Sequence, residues 1–243
     1  MTTKPFAFIE HDKTDPPGPL LDWLTEHGYE CVVIRPYAGD PLPDDLTQYA
    51  GTIVLGGGLS ATSDKGFPWR SQTLEMLQRA AATSHPTLAI CLGAQLVTQA
   101  LGGRVERGSE GMEIGPMLSG RKDVSYKDEL FETLPMAPDV IQFHGEVIAE
   151  LPPGAVHLMG GPLYDHQAFR FGDRMWATQF HFETTHETFR SWIVDNEDAL
   201  QRKGFDTEEL VRRSEIAHPD LREVWEPFIV RFAQLATEGP ADD

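Results

Sequence analysis

Four short apolar runs in the first half of the chain constrain the fold most. They lie in "PFAFIE" (5–10), "ECVVIRP" (30–36), "GTIVLGGG" (51–58) and "TLAIC" (87–91). Each has strand length, ends at turn-forming residues and is apolar without alternation. That pattern predicts strands covered on both faces. Between them come stretches with helical spacing: "PLLDWLTEHG" (19–28), ended by Gly28; "RSQTLEMLQRAAATS" (70–84); and "LGAQLVTQALGG" (92–103), closed by two glycines. Buried strands alternating with helices predict an α/β fold, with a mainly parallel sheet and helices on both faces.

The middle of the chain changes character. "RVERG", "MEIGPMLS", "DVIQFHGEV", "AVHLMG", "QAFRF" and "MWATQF" are strand-like and closely spaced. They predict sheet-edge and hairpin material within the same domain. After His181 the pattern turns helical, over roughly 185–199, 206–215 and 219–237, and "EGPADD" reads as a frayed tail. No internal repeat or low-complexity linker interrupts the 243 residues, a length that suits one large domain. We expect one domain over 1–190, with a helical C-terminal extension over 191–243 packed on it. The segment 212–232 carries a homodimer contact as a lesser expectation.

A net charge of −18 speaks against nucleic acid, whose phosphates demand a basic surface, and against anionic membrane. No apolar run is long enough to span a bilayer. The N-terminus lacks a signal-peptide cleavage pattern, so cytoplasm is the expected location. Two cysteines, Cys31 and Cys91, cannot form a disulfide framework and are expected as free thiols, Cys31 within a core strand.

Cys91 lies in Ala89-Ile90-Cys91-Leu92-Gly93, between a strand and a helix. Small residues at 89 and 93 suit a nucleophile elbow, where neighbouring backbones come close. A thiol there feels the positive end of the helix dipole, which favours thiolate, and the Leu92 N–H would face a developing oxyanion. On the elbow alone, a nucleophile and a buried structural cysteine both remain open.

A thiol nucleophile needs a base, and the base needs an orienting group. "WATQFHFETT" (176–185) offers His181 at a strand end and Glu183 two residues on, on the same side of extended backbone. His181 alone carries little weight among nine histidines; its pairing with Glu183 carries more. "VLGGGLSAT" (54–62) exposes backbone N–H groups after a strand. It fits neither a dinucleotide fingerprint, lacking the acid-ended strand beyond, nor a phosphate loop, lacking Gly-Lys-Ser/Thr. A second oxyanion donor is the better reading. "HFETTH" is not the zinc-protease helix motif, and no Pro-Cys-x-x-Cys follows the His-x-Glu, so no metal and no cofactor is expected.

Taken together, "AICLGAQLVTQALGGRV" and "ATQFHFE", about ninety residues apart, resemble the class I, triad-type glutamine amidotransferases. The likeness is greatest to stand-alone relatives of the GMP synthetase glutaminase domain. It covers roughly 50 to 190 and includes "EGMEIGP" (110–116), "FHGEVIAELPPGAV" (143–156) and "QAFRFGDRMWATQFH" (167–181). The resemblance implies a flavodoxin-like, doubly wound fold. It implies Cys91 as the atom attacking a γ-glutamyl amide, His181 as base and acid, and Glu183 as the orienting group. It implies the N–H groups of Leu92 and of Gly57 or Gly58 as oxyanion donors. Gln95 and the "HGE" segment, His144, Gly145 and Glu146, would contact substrate. Two departures stand out: Ala89 replaces the usual elbow glycine, and Phe182 replaces the proline of His-Pro-Glu, so packing must hold Glu183.

The resulting expectation is cysteine-dependent hydrolysis of glutamine or another small γ-glutamyl compound through a thioester. Released ammonia would pass to a separately encoded synthetase, or the product would simply leave. The alternative from a different class is an inactive or partner-activated regulatory module on the same fold. An α/β-hydrolase scaffold fits less well, because its acid precedes the histidine by many residues. Trp176, Phe180 and Phe182 are expected in core or pocket wall. Glu110 and Glu113 could meet a substrate amine but read better as ordinary acidic residues.

Overall fold

The computed structural model describes residues 4–238; of the predicted frayed tail, 239–243 lie outside the described residues. In chain order the elements are β1 (Phe6–Ile9), α1 (Pro19–Glu26), β2 (Cys31–Ile34), β3 (Thr52–Val54), α2 (Arg70–Ala82), β4 (Thr87–Ile90) and α3 (Leu92–Ala100). Then follow β5 (Arg104–Arg107), β6 (Glu113–Leu118), β7 (Gly120–Arg121), β8 (Asp139–His144), β9 (Glu146–Glu150), β10 (Val156–Gly160), β11 (Ala168–Phe171) and β12 (Met175–Thr178). Two helices end the described chain, α4 (His186–Arg202) and α5 (Thr207–Thr237).

Eight strands form the main sheet in the order β2-β1-β3-β4-β12-β11-β10-β7. The first five run parallel and the last three antiparallel. This is the flavodoxin-like α/β arrangement. Two antiparallel ribbons, β5–β9 and β6–β8, flank it and carry much of the strand-like middle of the sequence.

The unbroken apolar runs have a direct cause. Successive strand residues point to opposite faces, and both faces are covered. Leu88 and Ile90 enter one core cluster while Ala89 enters the other; Trp176 and Ala177 divide in the same way. Helices α1, α4 and α5 cover the first face and α2 and α3 the second. In α1 the buried residues Leu20, Trp23 and Leu24 follow the i, i+3, i+4 rule of a one-sided helix. The edge strand β2 is only partly covered. Cys31 is therefore half-buried rather than core, and burial pushes its thiol up to about 11.

Two boundaries differ from expectation. The segment 206–237 is one helix rather than two, running through Pro219 and Pro227. Buried anchors on both sides of Pro219, Leu210 and Ser214 before it and Leu221 and Trp225 after it, hold the helix through the lost hydrogen bond. "DVIQFHGEV" divides at Gly145 into β8 and β9, which pair with different partners. Among the described residues no helix is long and apolar enough to cross a membrane.

Candidate active site

The loops following β1, β3, β4 and β12 meet at one end of the parallel strands, the edge where open α/β sheets place their sites. Cys91 stands there between β4 and α3. Its backbone is left-handed, φ 50° and ψ −105°, a conformation that costs a non-glycine residue roughly 1–3 kcal/mol. Gly93 makes the turn feasible: a Cβ on it would lie 2.3 Å from the Val54 carbonyl oxygen. Ala89, by contrast, points its methyl into the core beneath α2 and α3 and is fully buried without obstructing the turn.

His181 and Glu183 follow β12. The His181 backbone pairs with Ile141 of β8, by bonds of 2.8 and 2.9 Å. Its Nδ1 lies 2.5 Å from Glu183 Oε1, and the indole of Trp192 packs 4.9 Å from the ring centre. With Nδ1 held by Glu183, Nε2 is the ring nitrogen left for the Cys91 thiol, which lines the same cavity. Burial alone would lower the imidazole pKa. The negative groups of Glu183, Cys91 and Asp15 outweigh burial and hold it well above its ordinary value.

Glu183 is fully buried, and its second oxygen accepts the Phe182 N–H at 2.8 Å. A proline at 182 could not donate that bond. The Phe182 ring stacks on Trp225 of α5, centroids 4.6 Å apart and planes 21° apart, and meets Phe228 edge-on. Packing and one hydrogen bond thus fix the acid where a proline would have fixed the backbone. Trp176 and Phe180 are also core residues.

The side that carries the two expected oxyanion donors is equally specific. Leu92 opens α3, so its N–H has no intrahelical acceptor. A Cβ on Gly57 would lie 3.2 Å from Leu92 Cδ2, while the Gly58 N–H donates to Asp12 Oδ2 at 3.3 Å. Of the two glycines, Gly57 is the one whose N–H meets no acceptor among the described residues. Gln95 Nε2 donates to the Glu146 carbonyl (2.9 Å) and to Gln179 Oε1 (3.3 Å); Gln179 Nε2 in turn approaches Cys91 Sγ at 3.9 Å. Glu146 receives Ser60 Oγ (2.7 Å) and the Ala61 N–H (3.2 Å), tying the glycine loop to β9. His144 is held between the Glu146 carbonyl, Gln142 and the buried Glu113. Glu113 is therefore interior, whereas Glu110 is exposed.

These residues line a cavity of about 360 Å³ that contains Cys91, His181, Gln95 and the segment His144 to Glu146. The sequence reading missed four of its walls: Thr14, Asp15, Trp192 and Asn196. Asp15 follows β1 at the same sheet edge, which is a usable signal, but one acid among 38 does not stand out. Asp15, His181 and Glu183 also bring one ligand atom each within 4.8 Å of one another. Both Glu183 oxygens are engaged within the protein, so the group reads as an imidazole flanked by two carboxyl groups.

Comparison with known proteins agrees with this geometry. The family model for class-I glutamine amidotransferases matches residues 20–199. The GMP synthase (glutamine-hydrolyzing) of Staphylococcus aureus is 32% identical over 145 residues, which is 59% of this chain and 26% of that protein. The chain thus spans about a quarter of the length of the curated relatives it matches. A glutamine amidotransferase from Thermotoga maritima superposes with a TM-score of 0.86 at 25% identity, covering 96% of this chain and all of that one. A second structure, a glutamine amidotransferase from Methylobacillus flagellatus, shares the fold, with a TM-score of 0.83, 24% identity, and coverage of 96% of this chain and 95% of that one. An α/β sheet with a cysteine elbow, a buried His-x-Glu and a family match over residues 20–199 lead to one conclusion: the chain belongs to the class-I glutamine amidotransferase family.

Proposed function

We propose that the protein hydrolyses a γ-glutamyl amide, glutamine or a small γ-glutamyl compound, through a thioester on Cys91. The observation that carries this reading is a thiol in a strained helix-entry turn that shares a cavity with an imidazole whose Nδ1 lies 2.5 Å from a buried carboxylate. The Cys91 thiolate attacks the amide carbon, and the carbonyl electrons move onto oxygen. The N–H groups of Leu92 and Gly57 receive that oxyanion. As it collapses, the C–N bond breaks and the leaving nitrogen takes the proton from His181 Nε2. Water then attacks the thioester, His181 takes its proton, and glutamate and the free thiolate result. Glu183 keeps the imidazole in the tautomer and orientation that both steps need. Gln95, His144, Gly145 and Glu146 form the wall against which the glutamyl portion lies.

The fate of the nitrogen divides two versions. The likeness to GMP synthase over 145 residues supports ammonia transfer to a separate synthetase. A pocket with acidic residues on its imidazole side supports release of an amine to solvent. Measuring ammonia from glutamine, and amines from a panel of γ-glutamyl compounds, tests both. Cys91→Ser should lower turnover by at least about 10³-fold. Unchanged turnover in that variant would exclude the thioester route.

A further inference from the structure

The mechanism above leaves one buried ionisable group of the cavity without a task. Asp15 is 4% exposed and lines the same pocket as Cys91 and His181, yet among the described residues its Oδ1 has no hydrogen-bond partner. A carboxyl oxygen so placed is costly to leave unpaired. Burial, together with nearby Glu183, Asp12 and Glu10, pushes Asp15 up to about 7 despite the opposing pull of His181. A donor arriving from the cavity would relieve that cost.

Its position identifies the donor. A Cβ on Gly56 would lie 2.1 Å from Asp15 Oδ2 and 3.0 Å from His181 Cε1, so only a missing side chain separates carboxyl from imidazole. Cε1 joins the two ring nitrogens; with Nδ1 held by Glu183, the nitrogen left open beside it is Nε2, which delivers the proton to the leaving group. Asp15 therefore stands beside the ring, and one ligand atom each of Asp15, His181 and Glu183 lie within 4.8 Å of one another. The loop that carries it is fixed. Trp192 Nε1 donates to the Thr14 carbonyl at 2.6 Å, and the Asp15 N–H donates to the Asp12 carbonyl at 3.0 Å. Gly18 closes the loop against the Glu183 carbonyl, where a Cβ would come within 1.9 Å.

We propose that Asp15 is a substrate-contacting residue that accepts an N–H from the leaving nitrogen of the scissile amide. This assignment rests on the thioester reading. The contact aligns the nitrogen with His181 Nε2; as the C–N bond breaks, that nitrogen takes the imidazolium proton and departs as a neutral amine or ammonia. Asp15 accepts a hydrogen bond throughout and takes no proton. The substrate class follows: leaving groups bearing an N–H are favoured over oxygen leaving groups.

The test compares glutamine with an activated γ-glutamyl ester, whose leaving atom has no hydrogen, in wild type, Asp15→Ala and Asp15→Asn. Asp15→Ala should lower kcat/KM for glutamine about 100-fold, the scale of one contact strengthened in the transition state, and change ester turnover less than about fivefold. Asp15→Asn, which keeps one acceptor oxygen, should fall between the two. It also decides the matter if Asp15→Ala does not fold, through a selective loss of at least about tenfold on glutamine. Equal losses on amide and ester would overturn the assignment and make Asp15 a support for His181. An unchanged amide rate would overturn it as well. Wild-type protein with no Cys91-dependent turnover of either compound would instead overturn the thioester reading itself.

Discussion

At the scale of single residues, the site is defined by what surrounds one imidazole. Glu183 holds Nδ1 and Asp15 stands beside the ring, and the two acids differ in their partners. Glu183 has both oxygens bonded, whereas Asp15 has an unpaired one. The raised pKa of Asp15 means that the folded chain binds its proton more tightly than the unfolded chain. Its contribution to stability is therefore lost as pH rises from its ordinary value of 3.8 to about 7, and stays lost above. Asp15→Asn should remove that dependence. Thermal melts at pH 8 should show the variant more stable by several degrees, with the gap closing toward pH 4. A gap that widened on acidification would contradict the burial described for Asp15. Cys91, His181 and Glu183 were legible in the sequence because elbow and His-x-Glu are local patterns. Asp15 was not, because its significance lies in a contact with a segment about 165 residues away.

At the scale of elements, the strands were legible for a physical reason. A strand covered on both faces is buried at every position, and β1, β3, β4 and β12 are, with a single threonine in each of the last three as their only polar side chain. What the sequence misled about was α5, where proline suggested a break. Local propensity yields there to tertiary anchoring, since Trp225, Phe228 and Phe232 all lie in the main core cluster. The two-residue β7 carries no periodic signal and was missed for that reason. Helix α5 also bears on the site. Phe182 stacks on its Trp225, and the Phe182 N–H steadies Glu183. Trp225→Ala should destabilise the fold by about 3–5 kcal/mol in denaturant titration. It should also lower the proposed γ-glutamyl amide hydrolysis by the molecules that remain folded. Full activity per folded molecule would show that the stacking leaves Glu183 unaffected.

At the scale of the whole molecule, a formal charge of −18 on 243 residues sets the electrostatic background. Self-repulsion of that size opposes compaction and is screened by salt. Adding about 0.5 M sodium chloride should raise the melting temperature measured by differential scanning fluorimetry, since the Debye length then falls below about 5 Å. A lower melting temperature would mean that attractive surface pairs outweigh the net repulsion. The stacked pair of Phe182 and Trp225 has a further consequence for the molecule in time. Synthesis runs from the N-terminus, so Cys91, His181 and Glu183 all emerge from the ribosome before residue 225 does. The ring beside the acid meets its partner only near the end of translation. A nascent chain can thus carry all three side chains and still await the helix that sets the last of them in place.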